Sequence, residues 1–402
     1  MEETPTRIEP CLFEDSIPGV LADLSLEIVA LAGNLGRGLH PDSALELAEF
    51  VRVMNCYYSN LIEGHKTRPR DIEKALAGAE LDVATRPLAL EAKAHVSVQR
   101  QIDALYFSGN LRNPTSAAFI SWVHARFYAE MPDEFRHIQL GDDRRLEIVG
   151  GEFRSGAGQD VMVGRHQPPS ADRIADFLAH FERRFNADRM GPVNRVVSIA
   201  SAHHRLNFIH PFLDGNGRVS RLMSHAMALK AGIGGMGLWS ISRGLARGLK
   251  DKSEYMRMMD LADSPRRGDL DGRGNLSLAA LSEFCEWFLT IMRDQIAFST
   301  TLFDLDTLER RYRLLVHDVI GNKHAVDIVA AVLRHGTMDR GDMNLVTKSS
   351  ERTARTALTA LTKAGFLKSA TPKSPVRIAF PVDYRERLFP NLFAEAEPDT
   401  GP

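Results

Sequence analysis

The sequence predicts a mainly α-helical protein, interrupted once by a β-hairpin and closed by a smaller helix-and-strand unit. Three observations carry that expectation. Apolar residues recur at helical spacing along most of the 402 residues. Short β-type runs around two glycines break the pattern at about 146–165. From about 315 the pattern changes to helix, turn, helix and a strand-like stretch. The length accommodates two or more cores. No repeat of 20–50 residues is present, which excludes a solenoid. The segments read as an N-terminal helical region (1–110), a core (111–305) and a C-terminal domain (315–395).

The first strong element is a helix over about 42–64. Asp42 or Ser43 can cap it, and Leu47, Phe50 or Val51, Met54, Tyr58 and Leu61 or Ile62 form its apolar face. Gly64 suits the position after its end, and Pro69 bars continuation. Further helical patterns cover about 71–108, 115–130, 170–186, 192–208, 217–231 and 276–305. Between them, Leu146–Val149 and Asp160–Val163 flank Gly156 and Gly158, a hairpin pattern closed by Pro168 and Pro169. An isolated hairpin needs something to pack on, so this one is either a surface excursion or a lid or docking edge.

In the tail, a helix over Val326–His335 precedes a second one that Ser349 or Ser350 can cap, with Ala354, Leu358 and Leu361 on its inner face and Gly365 at its end. A Pro-containing turn then leads to the strand-like Val376–Phe380. Helix, turn, helix and wing suggest a winged-helix unit. Lys348, Arg352, Arg355, Lys363, Lys368, Lys373 and Arg377 face one acid, Glu351, within it. That local patch at 348–377 would suit DNA, while protein docking or dimerisation is the alternative.

Composition narrows the rest. A formal net charge of −2 gives no overall case for a nucleic-acid or membrane partner. Three sparse cysteines, Cys11, Cys56 and Cys285, fit neither a disulfide framework nor a metal site, and suggest a reducing compartment. The acidic start lacks the apolar run of a signal peptide, and no stretch is long enough to span a bilayer. A cytoplasmic location is expected.

The most informative stretch is "NFIHPFLDGNGRVSR", Asn207 to Arg221. Pro211 ends one helix, and the next begins at about Gly217, so "DGNG" leads into a helix N-terminus. Free N–H groups and a positive dipole end welcome an anion there. Gly215 and Gly217 permit close approach, Asn216 adds an amide, and Arg218 and Arg221 supply forked cationic donors suited to phosphate. Asp214 is a hard oxygen ligand of the kind Mg²⁺ takes beside phosphates. His210 can accept a proton at neutral pH. Together these groups suit phosphoryl or nucleotidyl transfer.

"HPFLDGNGRVSR" resembles, without departure, the signature H-x-F-x-[D/E]-G-N-G-R-x-x-R of Fic-domain proteins, and the resemblance extends over about 45–295. It implies a Fic-type helical domain and transfer of AMP from ATP to a Ser, Thr or Tyr hydroxyl of a target protein. His210 would be the general base and Asp214 the Mg²⁺ ligand. Gly215, Asn216 and Gly217 would form the anion hole, and Arg218 and Arg221 would hold the phosphates. A flap near Val161, Met162 and Val163 would pair with target backbone. Phe212 reads as an anchor for the loop.

"SNLIEG", Ser59 to Gly64, resembles the family's inhibitory motif [S/T]-x-x-x-E-[G/N]. By that resemblance Glu63 pairs with Arg221 and blocks productive ATP placement; in some relatives the same glutamate serves removal of AMP. Tyr255 fits a family position near the adenine, although Met256 stands where many relatives carry a second tyrosine. Asp263 falls where some relatives place an asparagine near the nucleotide. Two alternatives remain: an ATP-sensing DNA-binding regulator, and an enzyme that mainly removes AMP. "GIGGMG" at 232–237 follows a helix rather than a strand and is no dinucleotide site. "DLDGRGNLSLAA" lacks the final acid of a calcium loop. His203, His204 and His210 have no acid or thiol beside them in sequence to complete a zinc set.

Overall fold

The computed structural model describes residues 4–11, 17–139, 145–156 and 158–393. They form two compact units, neither continuous in sequence. The first comprises 1–33, 55–234 and 240–295; the second takes 34–54, 235–239 and 296–402. Sequence order suggested consecutive segments, whereas the division falls inside two long helices.

The first unit is helical: α1 (Gly19–Asn34), the C-terminal part of α2 (Pro41–Ile62), α3 (Pro69–Leu76), α4 (Arg86–Phe107) and α5 (Ala117–Ala129). After a small sheet come α6 (Ile174–Arg184), α7 (Pro192–Ile209), α8 (Asn216–Lys230), α9 (Ile241–Arg247), α10 (Glu254–Ala262) and most of α11 (Leu278–Leu302). The pattern over 71–108 proves to be two helices, because the chain turns at Gly78 (φ 67°) and Pro87 opens the second. Helix α1 precedes the first element marked strongly by sequence; its apolar positions include exposed Val20, Leu26 and Val29, which blur its periodicity.

Helix α7 sits at the centre. Every residue from Val196 to Phe208 is buried except Asn207, the pattern of a helix covered on all sides. It packs on α6 and α8, and α8 packs in turn on α4 and α5. The motif loop between α7 and α8 is thereby held from several directions.

The hairpin forms with a different partner from the one expected. Strands β1 (His137–Gln139) and β2 (Arg145–Glu147) pair antiparallel, with Ile138 opposite Leu146. Alternation identified Leu146 as a strand residue but could not choose between the upstream and downstream neighbour. Downstream, Val163 and His166 exchange backbone hydrogen bonds of 3.0 and 2.9 Å in a tight turn, and no strand pairs with 160–163 among the described residues.

The second unit contains α12 (Leu305–Ile320), α13 (Lys323–His335), α14 (Met343–Thr347) and α15 (Glu351–Lys363), followed by strands β3 (Leu367–Lys368) and β4 (Arg377–Ile378) and α16 (Arg385–Leu388). Ser350 caps α15 by accepting from Thr353 N–H at 3.3 Å. Gly365 turns the chain in the left-handed region (φ 77°). Leu308, Tyr312, Ile328, Leu333, Leu358, Leu361 and Phe366 are buried as its core. Within this unit, Glu46 pairs with Lys368 and lies 3.7 Å from Arg377, so two of the seven basic residues already face a carboxylate.

Candidate active site

The loop conformation follows from its residue types. Helix α7 ends at His210, which adopts left-handed angles (φ 48°, ψ 61°), unusual for a residue with a Cβ. Pro211 then forbids a further helical turn. Gly215 takes φ 80° and caps α8; a Cβ there would come within 3.1 Å of the Tyr128 ring. Asn216 is buried, and its side chain accepts from Phe212 N–H and donates to Phe212 C=O, both at 2.9 Å. The amide thus fastens the loop, spending one of its two N–H donors on Phe212. The anion-binding capacity at this end belongs to the backbone N–H groups opening α8.

Phe212 is fully buried and stacks on His124, with centroids 3.8 Å apart and planes 5° from parallel. His124 Nδ1 accepts from Gly151 N–H at 2.8 Å, so its proton is on Nε2, which donates to the Asp214 carbonyl at 3.2 Å. Burial lowers its pKa to about 4, which keeps this neutral bridge intact.

His210 is likewise held neutral. Burial, then the positive charge of Arg154, lower its pKa to about 4, so its ring is unprotonated across the neutral range. Four residues on, Asp214 Oδ2 accepts from Tyr128 Oη at 2.7 Å and lies 3.8 Å from Arg218. Burial would raise its pKa, but Arg218, Tyr128 and the Gly215 N–H outweigh that and hold it below the usual value.

The two motif arginines have different partners. Arg221 Nε donates to Ser59 Oγ at 2.9 Å, and its Nη2 donates to Glu63 Oε1 at 2.5 Å. The Glu63 carboxylate stands so close to α8 that a Cβ on Gly217 would collide with it. Its pKa is lowered: burial opposes ionisation, but Arg221 and Arg218 overcome it. Arg218 pairs instead with Glu91 of α4, a carboxylate with no exposed surface, and lies over the Phe127 ring at 5.4 Å.

Histidines hold two further expected residues. Tyr255 is buried, and its hydroxyl is 2.8 Å from His203 Nε2 and also meets the Arg221 side chain. Asp263 lies 3.0 Å from His166 Nδ1 and 3.2 Å from His204 Nε2. Burial would raise its pKa, but the two histidines pull it far down. His203 and His204 are thus core hydrogen-bonding groups, His203 also reaching Ser224 Oγ at 2.9 Å. In the expected flap, Met162 is 75% exposed, and among the described residues no backbone hydrogen bond is found at Val161 or Met162. His166 anchors the adjoining turn through Phe208 C=O at 2.8 Å.

Three functional groups had no sequence signal. Arg154 is 1% exposed and donates to the carbonyls of His210 (2.8 Å), Gln159 (3.1 Å), Pro169 (3.1 Å) and Ile209 (3.3 Å), tying the motif loop to the 159–169 segment. Glu91 and His124 act across 127 and 90 residues respectively, on Arg218 and Asp214 (218 − 91 and 214 − 124). Local pattern cannot pair groups so far apart.

A helix N-terminus flanked by two buried arginines, a carboxylate and a neutral histidine is a set of groups whose chemistry suits phosphate. Residues 114–228 match the model of the Fic/DOC family. The protein adenylyltransferase Fic of Drosophila erecta is 42% identical over 85 residues, which is 21% of this chain and 17% of that relative. The Drosophila melanogaster protein of the same name matches equally. In fold, the chain resembles a Fic family protein from Desulfovibrio desulfuricans, with a TM-score of 0.54, 17% identity, and coverage of 93% of this chain and 99% of that one. A Fic domain containing signaling protein from Bacteroides thetaiotaomicron gives 0.50 at 18% identity, over 70% and 97%. Residues 114–228 of this chain therefore carry a Fic domain.

Proposed function

We propose that the protein transfers AMP from ATP to a hydroxyl side chain of a target protein, and that Glu63 holds this activity in check. One observation carries the reading: the chain's own Glu63 carboxylate stands beside the start of α8 and already occupies Arg221, at 2.5 Å. A site shaped for phosphate and filled by a tethered carboxylate is what an autoinhibited transferase requires. Within Ser59-x-x-x-Glu63-Gly64, Ser59 supports the same arginine, so both ends of the motif act on one group.

In the released state the target hydroxyl oxygen attacks the α-phosphorus. A P–O bond forms, the α–β bridging bond breaks, pyrophosphate leaves, and the hydroxyl proton passes to His210. The neutral imidazole and its fixed left-handed backbone suit that task, and general-base catalysis is worth about 10²–10⁴-fold. Arg221, the α8 N–H groups and Arg218 stabilise the charge that develops on phosphate oxygens. Asp214 fits a Mg²⁺ ion: its Oδ2 accepts from Tyr128, its side chain is 47% exposed, and one carboxylate beside phosphates is the usual Mg²⁺ donor set. Such an ion, when bound, neutralises phosphate charge. Exposed Met162 with its unpaired backbone supports the 161–163 segment as the edge that receives the target.

The helix-turn-helix and short strand pair of the second unit support a winged-helix module there. The test of the chemistry is transfer of label from ATP carrying it on the α- or the γ-phosphate. Glu63→Gly should transfer α-label to protein, and Glu63→Gly with His210→Ala should lose it by about 10²-fold or more. Transfer of γ-label would refute AMP transfer.

A further inference from the structure

Helix α4 lies outside the 114–228 segment matched by the family model, yet it carries a buried polar stripe. Glu91, His95, Gln99 and Asp103, each four residues from the next, are all buried on one face. Burial of such a row is unfavourable unless each group has work to do. Gln99 accepts from Asn55 of α2 at 2.7 Å, and Asp103 meets His225 of α8 at 2.6 Å. Glu91 stands nearest the motif, with both oxygens engaged. Oε1 pairs with Arg218, and Oε2 accepts from His65 Nδ1 at 2.8 Å.

We infer that Glu91 is a positioning residue for Arg218, fixing one edge of its guanidinium so that the other is presented to the nucleotide phosphates. The inference rests on reading Arg218 as a phosphate ligand. Arg218 has five N–H donors in a rigid fork. Glu91 takes the Nη2 end, and the Phe127 ring lies against the guanidinium carbon. Nη1 is left 3.8 Å from Asp214, beyond hydrogen-bond length. Arg221 lacks such a permanent carboxylate, since its acid is Glu63, which must leave. One arginine is therefore set in place by the fold, and the other is freed by release of the brake.

The test uses the full chain carrying Glu63→Gly and α,β-methylene-ATP with Mg²⁺, whose α–β linkage cannot be cleaved by transfer. Calorimetry should show Glu91→Gln weakening binding by about tenfold, the worth of one charge-assisted hydrogen bond. Glu91→Asp, which retains the charge, should recover part of the loss. With ATP itself, KM should rise by about tenfold while kcat stays within about threefold; a merely structural role would lower the active fraction and leave KM unchanged. Should Glu91→Gln fail to fold, a weakening of about threefold in Glu91→Asp carries the test. Unchanged binding in a folded Glu91 variant, with Arg218→Ala weakened, overturns the inference and leaves the proposed function standing. Equal binding by Arg218→Ala and its parent removes Arg218 from the phosphates, and both readings of it fall.

Discussion

Arg218 and Arg221 stand one helical turn apart on α8, both buried, each facing a carboxylate; what differs is where the carboxylate comes from. Glu63 follows α2 directly, precedes Gly64 in the left-handed region (φ 82°), and keeps 30% of its side chain exposed. Glu91 lies inside a 22-residue helix with no exposed surface. The first pair can open by moving a helix end beside a glycine; the second can open only by disrupting the core. Two similar ion pairs can therefore serve as a releasable brake and a fixed mount.

The comparison breaks most visibly under denaturant. Removing one partner of a fully buried pair costs about 3–5 kcal/mol, because the other charge is left unpaired. Glu91→Ala should lose that much unfolding free energy in a urea titration, whereas Glu63→Ala, beside open solvent, should lose about 1 kcal/mol. Equal losses would erase the distinction.

Acid sharpens the same contrast. Burial lowers His95 and His203 to about 3, and His124 and His210 to about 4, while the unfolded chain protonates near 6.5. Between pH 6.5 and 4 the unfolded state binds more protons, so stability present above pH 6.5 is lost progressively as pH falls. Thermal melts should drop by several degrees over that interval. Glu63, with its lowered pKa, stays charged on Arg221 through most of it, so the core weakens before the Glu63–Arg221 pair does.

Smaller effects test the loop between the two pairs. Tyr128→Phe removes the hydroxyl from Asp214 and should reduce transfer in the Glu63→Gly background by about tenfold, chiefly through a higher Mg²⁺ requirement. Gly215→Ala places a Cβ in the left-handed region 3.1 Å from Tyr128 and should cost about 1 kcal/mol, read by thermal melting.

How much of this was legible in the sequence depends on the reach of each interaction. Pro211, Gly215 and the Arg218–Arg221 spacing act within a few residues, so the loop leading into a helix N-terminus could be read directly. The tail was also legible where caps are local, as at Ser350 and Gly365. The strand at Leu146 was visible, but its partner Ile138 was not, because alternation carries no address. The two bonds of Asn216 to Phe212 could not be read, because they arise only once the loop has closed. The histidine partners of Tyr255 and Asp263, His203, His166 and His204, could not be read either, because the packing of α7, α10 and the segment around His166 sets them. Arg154 and Glu91 satisfy groups fixed by tertiary structure and leave no local pattern.

The central claim is that Glu63 occupies the place a phosphate needs. Initial rates of α-labelled AMP transfer, compared between the unmodified chain and Glu63→Gly at saturating ATP and Mg²⁺, address it directly. The account predicts a rise of at least about tenfold on removing the carboxylate. Equal rates in the two proteins, both folded and both binding ATP, would contradict it and leave the Glu63–Arg221 pair as a structural staple.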